Sequence, residues 1–149
     1  MLLKEICTPE VACCSPETTI LAAARLMRER HVGDLVVVDD PDGDLSPLGM
    51  VTDRDLVIEV LAQERNPAAT TVREIMRAPI AIASGHEDAA QAAERMKTHG
   101  VRRIPVIGSD GKLAGIVSLD DLIARLAADA SLLAEVVARE QSREHRTRR

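Results

Sequence analysis

Two stretches of the chain place a hydroxyl residue three positions before an aspartate: Thr52-Asp53-Arg54-Asp55 and Ser118-Leu119-Asp120-Asp121. Two kinds of chemistry need that spacing. In a capping box, the hydroxyl at the helix N-cap accepts the N3 amide and the N3 acid reaches back to the N-cap amide. In an anion or ribose site, the free amides and the positive end of the helix dipole attract a phosphate. There the hydroxyl donates to that phosphate and the carboxylate accepts from sugar hydroxyls. Both readings stand at both places, since duplication copies a cap as faithfully as a site. Arg102-Arg103, just before an apolar run, add the residue type that pairs best with phosphate; their other reading is a solvated strand end. The positions that match them earlier in the chain are Gly33-Asp34, and an aspartate facing a phosphate repels it. The earlier motif has its own cation in Arg54, where the later one has Leu119.

Other reactive groups point nowhere in particular. Cys13 and Cys14 are neighbours in an extended piece, so their side chains face opposite ways. Cys7 stands apart. His31, His86, His99 and His145 lack ligand spacing, and no metal site is expected. No serine or cysteine has a base within its motif, and no enzyme is expected.

These motifs belong to a repeat. Gly49-Met50-Val51-Thr52 returns as Gly115-Ile116-Val117-Ser118, an offset of 66. Ile6 with Ile75, Met27 with Met96, and Val32 with Val101 are each 69 apart. The first copy therefore carries three extra residues, placed in the Asp-, Pro- and Gly-rich stretch Asp39 to Leu48. Such a loop tolerates insertion. Each copy reads as a short turn (3–7, 72–76), an extended piece (11–14, 80–83), a helix (19–29, 88–98), a buried strand (35–38, 104–107), a second strand and a second helix. Ala23, Ala24 and Met27 stripe the first helix, and Ala89, Ala93 and Met96 its copy. The stretch from Gln63 to Thr71 links the copies. Boundaries at 1–65, 66–128 and a helical extension with a basic tail at 129–149 are expected.

Composition excludes several classes. Phe, Tyr and Trp are absent, so the core is aliphatic and no ring is available to stack on a base. A net charge of −5 further disfavours nucleic acid. No run is long and apolar enough for a membrane span, and an odd cysteine count suits a reducing cytoplasm. From Asp120 to about Arg143 neither Gly nor Pro occurs, and Leu122, Leu126, Ala130, Leu133 and Val137 repeat at three/four spacing. That helix either folds back on its own core or packs on another subunit. Beyond Gln141, the tail Ser142 to Arg149 is expected to fray.

The two Gly-x-x-Thr/Ser-x-x-Asp motifs, the strand Val101-Arg102-Arg103-Ile104-Pro105-Val106 and the opening Thr8-Pro9-Glu10-Val11 resemble the cystathionine β-synthase (CBS) domain family, as a tandem pair covering Leu3 to Leu126. The resemblance implies an α/β (α+β-like) fold of two β-α-β-β-α units about a pseudo-two-fold axis, commonly dimerised. It implies clefts for AMP, ADP, ATP or S-adenosylmethionine, with no required cofactor. Asp55 and Asp121 would hold ribose, Thr52 and Ser118 phosphate or ribose, and Arg102 and Arg103 phosphate. Val11 and Ile80 would line the base, aided by Met50 and Ile116. The expected function is a stand-alone regulatory module, with the Asp121 cleft the better site and an unidentified protein as its target. The competing expectation is a structural or protein-interaction dimer with empty clefts.

Overall fold

The computed structural model describes residues 1–147. Its elements run α1 (Leu3–Ile6), β1 (Cys13–Cys14), α2 (Ile20–Arg30), β2 (Asp34–Val38), β3 (Pro47–Thr52) and α3 (Asp53–Asp55), which continues as a wider helical stretch over Leu56–Leu61. After a tight turn at Val72–Glu74 come β4 (Ala83–Ser84), α4 (Ala89–His99), β5 (Arg103–Ile107), β6 (Leu113–Ser118) and α5 (Leu119–Thr147). Two three-stranded sheets result, β1-β2-β3 and β4-β5-β6. In each, the central strand pairs parallel with the first and antiparallel with the third. The mixed α/β fold of two matched units is the one expected from the repeat.

The helices form where caps and apolar spacing agree. Thr19 accepts the Ala22 amide at 3.2 Å to start α2, and Asp88 accepts the Gln91 amide at 2.9 Å to start α4. Both helices end on a left-handed residue, His31 (φ 55°) and Gly100 (φ 63°). The next amide then bonds five residues back, Val32 to Met27 and Val101 to Met96, which closes the last turn. On α2 the core face is Ile20, Ala23 and Met27. On α4 it is Ala92 and Met96 with Ala89 half-buried, whereas Ala93 is exposed. Of the expected stripe, Met96 is buried and Ala89 half-buried, but Ala93 is not on it; the buried place belongs to Ala92, the repeat equivalent of Ala23.

The two cores exchange their opening segments. Leu3 is fully buried among Ala83, Ala92, Met96, Ile104, Val106 and Val117, in the second repeat. Val72 is fully buried among Cys14, Ala23, Leu35, Val37 and Val51, in the first. Backbone bonds fix both crossings: Leu3 N to Glu87 O (2.8 Å), Val72 N to Thr18 O (2.8 Å), and reciprocal pairs between Thr8 and Ile116 and between Met50 and Arg77. The motif glycines permit the crossings. A Cβ on Gly115 would lie 2.7 Å from Cys7 Sγ and 2.8 Å from Thr8 O, and one on Gly49 would lie 2.6 Å from Arg77 O.

Helix α5 is a single element of 29 residues. The expected fraying from Ser142 is corrected as far as Thr147, because the helix continues through it; Arg148 and Arg149 lie outside the described residues. Ile123, Leu126, Leu133 and Val137 lie more than half exposed along α5, so this face does not fold back on the core.

Candidate functional site

Both hydroxyl–aspartate motifs form complete capping boxes. Thr52 Oγ1 accepts the Asp55 amide at 3.1 Å, and Asp55 Oδ2 accepts the Thr52 amide at 2.9 Å. Ser118 Oγ accepts the Asp121 amide at 3.1 Å, and Asp121 Oδ2 accepts the Ser118 amide at 2.8 Å. The short aspartate reaches because the strand runs straight into the helix. The boxes differ in one proton. Ser118 Oγ also donates to Asp121 Oδ2 at 2.7 Å, while Thr52 has no acceptor for its hydroxyl among the described residues.

A cleft of about 660 Å³ opens at the Thr52 end, within the size range of small-molecule sites. Its apolar surface comes from Met50, Pro79, Ile80, Ala81 and Val101. Its polar rim carries Thr52 and four arginines, Arg54, Arg77, Arg102 and Arg103, together with Asp34, Asp53 and Asp120. With His99 neutral, those charges leave the rim positive by one. An apolar slot with clustered guanidinium groups suits a flat aglycone carrying an anionic end.

Six of the residues singled out from sequence meet here: Met50, Thr52, Arg54, Ile80, Arg102 and Arg103. Asp55 lies just beneath, 7% exposed, with Oδ1 facing the Arg77 guanidinium at 3.5 Å. Val11, Ile116, Ser118 and Asp121 do not line the cleft. Ile116 is joined through its backbone to Thr8. Arg102 and Arg103 were expected to serve the Asp121 side; the structure groups them instead with Thr52 and Arg54. The reason is the local symmetry. Asp34 pairs in register with Thr52, and Arg103 with Ser118. Asp34 and Arg103 are themselves 69 residues apart, the offset of the repeat, and their side chains meet at 2.8 Å. The start of β5 therefore faces the start of β2 directly, and its arginines open beside Thr52.

Sequence reasoning missed Arg77, Asp53 and Asp120. Arg77 enters through the exchanged segment, and no spacing announces it. Asp120 was visible as the partner of Arg102 only once the turn brought them to 3.3 Å. Among the described residues no group of three or more His, Cys, Asp or Glu side chains is placed to hold a metal ion, and no helix is long and apolar enough to cross a membrane.

The family model of the CBS domain matches residues 3–62 and again 72–128, and the chain belongs to the CBS domain family as a tandem pair. Protein MK0525 of Methanopyrus kandleri is 35% identical over 119 residues, 80% of this chain; the chain spans 59% of that protein's length. Hypoxic response protein 1 of Mycobacterium tuberculosis is 36% identical over 123 residues, 83% of each. A crystal structure of Hypoxic Response Protein I with two coordinated zinc ions superposes with a TM-score of 0.73 over 84% of this chain and 98% of that one. The protein PAE2072 of Pyrobaculum aerophilum, complexed with AMP, shares the fold at a TM-score of 0.73 and 23% identity, over 86% of this chain and 99% of that one.

Proposed function

We propose that this chain is a regulatory, non-catalytic module that binds an adenosyl ligand in the Thr52 cleft and relays its occupancy to a partner protein. The observation that carries this reading is the convergence of an apolar slot (Met50, Ile80, Val101) with Thr52, Arg54, Arg102 and Arg103 in one cleft. The slot takes the base between aliphatic side chains, Thr52 donates its unused hydroxyl, and Arg54 meets a phosphate. Asp55 accepts from ribose hydroxyls once Arg77 swings away; that guanidinium is largely exposed and held at only 3.5 Å. Ser118, Asp121, Ile116 and Val11 form the second, weaker place, where the serine hydroxyl is already engaged. The AMP bound by the related fold from Pyrobaculum aerophilum supports the ligand class. A homodimer in the cytoplasm, with its three thiols free, completes the reading. To signal, the ligand must bind two states of the module unequally.

The test is the melting temperature with AMP, ADP, ATP, S-adenosylmethionine and GTP in turn. A native-state ligand raises it in proportion to RT ln(1 + [L]/Kd). A rise with an adenosyl ligand that Thr52→Val abolishes is the expected result. No rise with any of them favours the second reading, a protein-interaction module whose aspartates act only as caps. The complete boxes at both helix starts and the exposed apolar face of α5 speak for that alternative.

A further inference from the structure

The arginines of the cleft are not equally available. Arg77 faces Asp55 at 3.5 Å, Arg102 faces Asp120 at 3.3 Å, and Arg103 holds Asp34 at 2.8 Å. Among the described residues Arg54 alone of the four has no carboxylate partner. The Asp34–Arg103 pair is the tightest and the best sheltered: the Asp34 side chain is 12% exposed and that of Arg103 43%. It also stands where the local two-fold brings equivalent residues face to face. A perfect repeat would put two aspartates or two arginines there, and like charges at that distance repel. The divergence of one copy turns a repulsive contact into an ion pair.

We propose that Asp34 sets the charge of the ligand this cleft accepts: by occupying Arg103 it favours adenosyl ligands with a single phosphate and disfavours polyphosphates. The proposal rests on the adenosyl reading above. One phosphate is served by Arg54 and Thr52 without disturbing any pair. Each further phosphate must either take Arg103 from Asp34, leaving a sheltered carboxylate unpaired, or lie against Asp34, Asp53 and Asp120. Arg102 is a weaker obstacle, because both it and Asp120 are largely exposed and their attraction is screened by water. Asp34 therefore acts as a specificity residue through Arg103.

Isothermal titration of the full chain with AMP, ADP and ATP, with EDTA present so that each phosphate keeps its charge, tests this. The wild-type chain should bind in the order AMP, ADP, ATP. Asp34→Asn should tighten ATP binding by about tenfold and AMP binding by less than about threefold. Asp34→Ser provides a second neutral form, and the melting temperature of each ligand-free variant verifies folding. On an Arg103→Gln background the Asp34→Asn gain should vanish, because the released cation is gone. The proposal is overturned if wild-type chain prefers ATP, if the gain is equal for AMP and ATP, or if it persists without Arg103. Binding of AMP with no reordering in Asp34→Asn sinks this inference and leaves the adenosyl reading standing. Absence of binding by all three nucleotides to every form sinks both.

Discussion

At Ser118 the hydroxyl hydrogen goes to Asp121 at 2.7 Å; at Thr52 the same hydrogen is left for something else. Around Ser118 the neighbouring strand contributes Arg103, whose guanidinium turns away to Asp34. Around Thr52 the neighbours are Asp34, Arg54, Arg77 and the apolar slot. The backbone is the same at both places through the glycine, the strand register and the cap; beyond the cap it differs, since Leu56–Leu61 winds wider than the matching turns of α5. Up to the cap, what separates them is the side chains at the local axis and the proton of one hydroxyl. Duplication kept the frame that positions a site and let its contents diverge, so the pair of helix starts is its own internal control.

The most severe way to break the comparison is to remove the exchanged anchors. Leu3→Ala deletes a fully buried side chain from the second core, although Leu3 precedes the first in sequence. A loss of about 2–5 kcal/mol in urea unfolding is expected for a buried leucine. Val72→Ala should destabilise through the first core by a smaller amount, since less side-chain carbon leaves than in Leu3→Ala. If Leu3→Ala cost only a few tenths, the opening segment would be a loose cover and the exchange would contribute nothing to folding.

Next in size are the glycines. Gly115→Ala forces a methyl into Cys7 Sγ and Thr8 O, and Gly49→Ala forces one into Arg77 O. Each should cost about 1–3 kcal/mol, as overpacking does. The two differ in function. Gly49→Ala moves Arg77, which lines the cleft, and should change ligand affinity as well as stability. Gly115→Ala should change stability alone. Equal effects on ligand binding would show that the two helix starts are not distinct.

Asp55→Asn and Asp121→Asn compare the sites themselves. Each loses the charge on a capping hydrogen bond, an effect of about 1 kcal/mol. AMP affinity should fall by about tenfold or more in Asp55→Asn and by less than about threefold in Asp121→Asn. The reverse order would return the site to the Ser118 end.

Much of this was legible in the chain. Thr52-x-x-Asp55 and Ser118-x-x-Asp121 announce their caps by spacing, and the offsets of 69 and 66 locate both repeats and the longer loop of the first. The aliphatic core followed from composition. What stayed hidden depends on which core a segment enters. Periodicity tells which face of Leu3 or Val72 is apolar, and it carries no information about whose core that face meets. The same limit misplaced the arginines. Asp34 and Arg103 align as repeat equivalents, and alignment assigns them to separate clefts; only the two-fold packing makes them neighbours. Arg77 was invisible because its role comes from the crossing at Met50.

The three extra residues of the first copy offer the smallest test. They enlarge the loop 39–46, and that loop reaches the other repeat: Lys112 Nζ lies 2.6 Å from Asp44 Oδ1 and 3.1 Å from Ser46 Oγ, and Leu113 N donates to Leu45 O. The bond from Lys112, then those from Ser46, hold the Asp44 carboxyl down to about 2. An unfolded aspartate titrates near 3.9. A depressed folded value gives stability that is present above the unfolded value and lost as pH falls towards the folded one. Asp44 therefore supports the folded chain above about pH 4 and stops doing so near pH 2. The group is exposed to solvent, so the effect is small and weakens with salt. Melting curves of the wild-type chain and Asp44→Asn should be separated at pH 5 and converge as pH approaches 2. A separation that stays constant across that window would mean that the loop touches the second repeat without its charge contributing to the contact.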